Sequence, residues 1–242
     1  SQQQTITRCL EIDSQFVFQI VCNNNDELFQ KLSGLKGCKD SEIIEKMPEL
    51  ISPNKNMQQN EKRLSQFMKI VETHNIEVDK FLDICCGDGS LTLLMAEQLN
   101  AKAYGLDIIE QNVNFSYQKL DIDTAQSIPF DCQFKLIIMQ LGFHHLKNKN
   151  HAIQIIHDKL EQGGILILYD FLVQNENNVH KCDLLHLKSQ VLNKQISSEQ
   201  YFNEFQIHYA NIDYIQNIKE FQLIDLIDTQ MESRYWAVLM KK

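Results

Sequence analysis

From about residue 64 onward, short apolar runs alternate with stretches whose apolar positions recur at helical spacing, a pattern that predicts an α/β domain with a mainly parallel sheet. "KFLDICC" (80–86) is the first strand and "SLTLLMAEQLN" (90–100) the helix after it. The runs 101–109, 114–122 and 134–142 read as the next three strands from their apolar and aromatic content. "NKNHAIQIIHDKLEQ" reads as a helix stopped by Gly163-Gly164, and "GILILYDFL" as a buried parallel strand. A long polar, helical segment (174–219) follows. The runs 221–229 and 234–242, separated by a short polar turn, then read as a closing hairpin, for seven strands in all.

Upstream the pattern changes. "TITRCLEIDSQFVFQIVC" reads as two short strands, and "NDELFQKL" and "SEIIEKMPEL" as short helices. A polar stretch then leads into the helix "RLSQFMKIVETHN". The expected division is an N-terminal accessory region over 1–60 and an α/β domain over 61–242.

Composition narrows the function. The 242 residues are 43% hydrophobic, enough for a full core. No apolar run approaches the roughly 18 residues of a membrane span, and "SQQQTITRCLEID" lacks the features of a signal peptide, so an intracellular, cytoplasmic chain without membrane contact is expected. A net charge of −9 weighs against broad electrostatic binding of nucleic acid. The seven cysteines are irregularly spaced and read as reduced thiols. Adjacent Cys85 and Cys86 cannot both turn to one ion, and no CxxC partner exists, so no metal is expected.

The candidate chemistry sits in "FLDICCGDGS" (81–90). A strand, a Gly-rich turn and a helix bring bare backbone to a ligand at the carboxyl edge of a parallel sheet. The spacing Asp83-x-Cys85-x-Gly87-x-Gly89 is not GxGxxG, and it lacks the Lys-Ser/Thr of a phosphate loop. It resembles the first motif of the class I S-adenosylmethionine-dependent methyltransferases, an acid followed by three alternating glycines. The resemblance covers Leu64 to Lys242, and the closing hairpin is similar to the one that family builds with its antiparallel seventh strand.

That resemblance implies S-adenosylmethionine as cofactor and a set of site residues. Gly87 and Gly89 fall on the second and third glycines, and Asp83 on the acid that orders the turn and the methionine ammonium. Cys85 replaces the first glycine. Asp107, ending the second strand, matches the acid that holds the ribose diol. Asp121 matches the acid that binds the adenine amine, with Ile122 expected against the ring. Gln140, at the end of the fourth strand, completes the cofactor set.

For the acceptor, "LIIMQLGFHHLKN" lacks the Asn/Asp-Pro-Pro-aromatic signature of adenine amino-methylation. The lysine-centred tetrad of ribose 2′-O enzymes is not visible, and only Asp170 is placed like a magnesium-binding acid of catechol-type enzymes. His144 and His145 are the candidate bases. His180, Asp183 and His186 share a helical face that reads as an amphipathic lid rather than a metal site. The run Gln140 to His144 is similar to one in some cap guanine methyltransferases, which ranks RNA slightly ahead of a small molecule or protein as acceptor. A second reading is a non-catalytic binding or assembly module, motivated by Cys85 and by an N-terminal region whose strands could add to a partner's sheet.

Overall fold

The computed structural model describes residues 55–171, 210, 212–229 and 234–242. The N-terminal strands and helices expected over 1–54, and most of the segment 174–219 with His180, Asp183 and His186, lie outside the described residues.

Helix α1 (Lys55–Thr73) precedes strand β1 (Lys80–Ile84) and helix α2 (Ser90–Leu99). Strands β2 (Lys102–Asp107), β3 (Ser116–Lys119) and β4 (Phe134–Gln140) follow. A 3₁₀ turn (Phe143–His145), helix α3 (Lys149–Lys159) and strand β5 (Leu160–Phe171) come next. The short helix α4 (Ile212–Gln216) leads to strands β6 (Phe221–Asp228) and β7 (Arg234–Lys241). The seven strands form one sheet in the order β3-β2-β1-β4-β5-β7-β6. Strands β1 to β5 pair in parallel, and β7 runs antiparallel to both β5 and β6. The seven-stranded, mainly parallel expectation therefore holds, closing hairpin included.

Alternation along each strand divides the core between the two sheet faces. Leu82, Ile84, Ile137, Met139, Leu166 and Leu168 pack on one face with Ile153 and Ile156 of α3 and Ile215 of α4. Phe81, Leu136, Ile138, Ile167 and Tyr169 pack on the other with Phe67 and Ile70 of α1 and Leu91 and Met95 of α2. With helices on both sides, β4 is buried at every position except Lys135, which explains its near-continuous apolar run. None of the described helices is long and apolar enough to cross a membrane.

Three boundaries differ from the sequence reading. Helix α1 starts at Lys55, so the polar stretch before Arg63 is partly helical. Helix α3 does not run to Gly163-Gly164. It ends at Lys159 because Leu160, fully buried, takes an extended conformation and pairs with Phe134. The glycines instead lie within β5, where the pairing with β4 shifts register and Gly163 adopts a positive φ of 71°. Strand β3 is shorter than expected, because Asp121 turns its side chain onto its own backbone, accepting from Asp123 N–H at 3.0 Å.

Candidate active site

The turn after β1 is the centre of the site, and neighbouring strands shape it. Cys85, Gly87 and Gly89 all adopt positive φ, at 60°, 56° and 74°. This is the left-handed region that glycine enters freely and cysteine enters at a cost. Cys85 is accommodated by Gly142, just past β4: a methyl group there would stand 2.6 Å from both its Cβ and its Sγ. Cys86 lies against Gly105 of β2, where an added Cβ would come within 2.9 Å of its Sγ and 2.5 Å of the Phe115 ring. The two thiols therefore diverge toward the strands on either side of β1. Burial pushes both thiols up, so neither is a ready thiolate. Among the described residues no three His, Cys, Asp or Glu side chains are grouped to hold a metal.

Gly87 faces open space, with no atom within 4 Å of where its Cβ would be. A cavity of about 170 Å³ opens there, lined by Arg63, Asp83, Cys85, Gly87, Leu91 and Gln140 among others. Asp83 is 3% exposed, and its Oδ2 accepts from Thr92 Oγ1 at 2.6 Å, which ties the first turn of α2 to β1. Burial pushes its carboxyl up to about 7, against the pull of the Thr92 hydrogen bond and the Arg63 guanidinium. Asp83 Oδ1 and Gln140 Oε1 are buried acceptors without a hydrogen-bond partner. Gln140 Nε2 reaches Met95 Sδ at 3.6 Å. Arg63, on α1, is steadied by Asn60 Oδ1. Asp83, Gln140 and Arg63 thus all line this one cavity.

At the end of β2, Asp107 accepts from Gly87 N–H at 2.8 Å through Oδ2 and from Ile109 N–H at 3.0 Å through Oδ1. It thereby fastens the glycine turn to the next strand while keeping a lone pair free on each oxygen. Ile108 and Ile109 beside it are 59% and 62% exposed, the most solvent-exposed large apolar side chains described. Asp121 uses Oδ1 on Asp123 N–H and Oδ2 on the Thr124 hydroxyl at 3.1 Å. Ile122 is 4% exposed and packs within the core, so little of it remains to meet a ring.

The two candidate bases differ in setting. His144, 2% exposed, contacts Asp170 Oδ1 through Nδ1 at 2.7 Å, and its backbone N–H donates to Asp170 Oδ2 at 3.2 Å. Burial alone would raise the Asp170 carboxyl, but His144 and the Phe171 N–H at 2.7 Å outweigh it and hold it below the usual range. The His145 ring lies 4.0 Å from the His144 ring, and burial first, with the neighbouring charges of His144 and Lys149, lowers it to about 3. It is neutral across the physiological range. Sequence reasoning missed Arg63, Asn60 and Gly142. The first two come from a polar helix that carries no motif, and the third acts only through the pairing of β1 with β4.

This sheet order, with the glycine turn at the carboxyl end of β1, is the class I S-adenosylmethionine-dependent methyltransferase fold. Residues 44–220 match the methyltransferase-domain family, and the chain belongs to it. S-adenosylmethionine is the cofactor that this membership implies. The 27-O-demethylrifamycin SV methyltransferase of Amycolatopsis mediterranei is 31% identical over 107 residues, covering 39% of each chain. The chloroplastic 2-phytyl-1,4-beta-naphthoquinone methyltransferase of Arabidopsis thaliana is 24% identical over 115 residues, 41% of this chain and 44% of the relative. The chain thus spans less than half the length of these curated relatives. The fold is also that of the N-methyltransferase NodS from Bradyrhizobium japonicum WM9 in complex with S-adenosyl-L-homocysteine. There the TM-score is 0.52 at 13% identity, covering 75% of this chain and 86% of NodS.

Proposed function

We propose that the chain is an S-adenosylmethionine-dependent methyltransferase acting on a small molecule. The observation that carries the cofactor assignment is a pair of buried acceptors without a hydrogen-bond partner, Asp83 Oδ1 and Gln140 Oε1, on two residues that line one cavity with Arg63. An α-ammonium offers three donors to such acceptors, and a guanidinium suits the adjoining carboxylate. At about 170 Å³ the cavity falls below the roughly 300–1,000 Å³ of a whole ligand site, so it suits the amino-acid end alone. The nucleoside end belongs over the open edge at Asp107, Ile108 and Ile109. Asp121 stands next along this edge, with Ile122 as backing from the core. Gly87 keeps the turn low beneath the cofactor, while the bare backbone of Gly89 makes room for Phe115 and Val113. The space that Gly142 leaves for the Cys85 side chain supports a retained site, against one of the motives for a non-catalytic module.

When bound, S-adenosylmethionine supplies an electrophilic methyl group on a sulfonium. The residues around it have to align an unprotonated acceptor and exclude water. We assign His144, held by Asp170, to positioning: it ties the loop after β4 to the end of β5, and it is too buried to touch an acceptor. His145 then faces the acceptor as a neutral ring. RNA, ranked first from the run Gln140 to His144, loses that support because Gln140 lines the cofactor cavity. The named acceptors of the relatives, a demethylrifamycin and a phytyl naphthoquinone, favour a small molecule, as does the net charge of −9. Incubation with methyl-labelled cofactor and either total RNA or a metabolite extract tests this. Label is expected in the small-molecule fraction, and label confined to RNA would overturn the acceptor assignment.

A further inference from the structure

We infer that the acceptor is an aromatic or enolic compound with an acidic hydroxyl, bound as its oxyanion by the Lys149 ammonium. This rests on the methyltransferase reading and names its substrate class. Lys149 opens α3, immediately after the loop that carries His144 and His145. It is half-buried, with Nζ donating to Leu146 O at 2.7 Å and lying 5.4 Å from the centre of the Phe143 ring. Among the described residues no carboxylate lies within ion-pair distance of it.

That isolation is built in. The first turn of α3 contains no acidic residue, and a cation at a helix N-terminus is opposed by the helix dipole. Asp123 accepts from the backbone N–H groups of Lys147 and Asn148, at 3.0 and 3.1 Å, which holds it to the loop before α3. Asp170 is committed to His144 and Phe171. Asp170 and Asp123 pull the Lys149 ammonium up, but burial outweighs them and lowers it to about 8. A half-buried cation with no counter-ion among the described residues is a place for an anion from outside the chain.

The same corner says which anion. Lys149 follows the loop after β4, which leaves the sheet at the same carboxyl edge as the turn after β1, where Gly142 meets Cys85. The neighbouring base candidate, His145, is neutral and too weak to draw a proton from an ordinary alcohol. A hydroxyl that ionises near neutrality needs no such base, only a cation to hold the oxyanion. Tyr214, 6.2 Å from Phe143 between ring centres and fixed by its hydroxyl to Asn150 Oδ1 at 2.8 Å, gives the corner an aromatic wall.

The probe is 4-nitrophenol, whose phenolate absorbs visibly, titrated with pH on protein saturated with S-adenosylhomocysteine. The midpoint of the bound probe is expected about one pH unit or more below that of the free probe. Lys149→Met should abolish the shift and Lys149→Arg should keep it, with the affinity of both variants for S-adenosylhomocysteine unchanged as proof of folding. The inference is overturned if the probe does not bind, if it titrates as in water, or if Lys149→Met retains the shift. Failure of the wild-type protein to bind S-adenosylhomocysteine would instead bring down the methyltransferase reading itself.

Discussion

Asp83→Asn should make the ligand-free protein more stable while removing its affinity for the cofactor. Asp83 is 3% exposed, and its carboxyl is raised from 3.8 to about 7, chiefly by burial. The unfolded chain therefore gives up this proton at lower pH than the folded one, and folding stability falls as pH rises from about 4 to about 7. Three pK units at about 1.36 kcal/mol each come to about 4 kcal/mol at pH 8. Asparagine can still accept from Thr92, but its amide group finds imperfect partners in the cavity, so roughly half of that gain should survive. Roughly 2 kcal/mol corresponds to a rise of about 4–8 °C in Tm for a chain of this size. Thermal melts of both proteins at pH 8 and pH 4 test the reasoning, because near pH 4 the wild-type carboxyl is neutral and the gain should nearly vanish. A variant less stable than wild type at pH 8, or one with the same difference at both pH values, refutes it.

Gly142→Ala should cost about 1–3 kcal/mol in urea unfolding, because its methyl would meet Cys85, and Cys85→Gly should relieve that cost. Gly105→Ala should be destabilising whatever stands at Cys86, since the Phe115 ring is the closer obstacle at 2.5 Å. Arg63→Ala should weaken S-adenosylhomocysteine binding roughly tenfold or more, read by calorimetry, as expected for loss of a charged hydrogen bond. A double-mutant cycle of His144→Gln and Asp170→Asn should show a coupling of about 1–3 kcal/mol in unfolding, because the pair is buried and only 2.7 Å apart.

What could be read from the sequence was local. Asp83, Gly87 and Gly89 lie within seven residues and announce the turn. The buried strands announce themselves because helices on both faces leave them few polar positions. What could not be read depends on register between distant segments. Arg63 becomes a cavity residue only when α1 packs on the sheet, and Gly142 makes room for Cys85 only because Ile84 of β1 pairs with Met139 of β4. Gly163-Gly164 misled for a similar reason. A Gly pair is a good helix stop in isolation, but burial of Leu160 against Phe134 ended the helix earlier. Asp121 and Ile122 follow β3, where their side chains serve a local turn and the core.

The central claim is that the cavity beside Asp83 receives a cationic amino-acid group, and its signature is a proton. Calorimetric titration of the protein with S-adenosylhomocysteine at pH 7, in two buffers of different ionisation enthalpy, measures it directly. With the Asp83 carboxyl near 7 before binding and drawn down by the incoming ammonium, the account predicts one-to-one binding with release of about half a proton. That release should disappear in Asp83→Asn. No heat at millimolar ligand, or binding whose enthalpy is the same in both buffers, would contradict it.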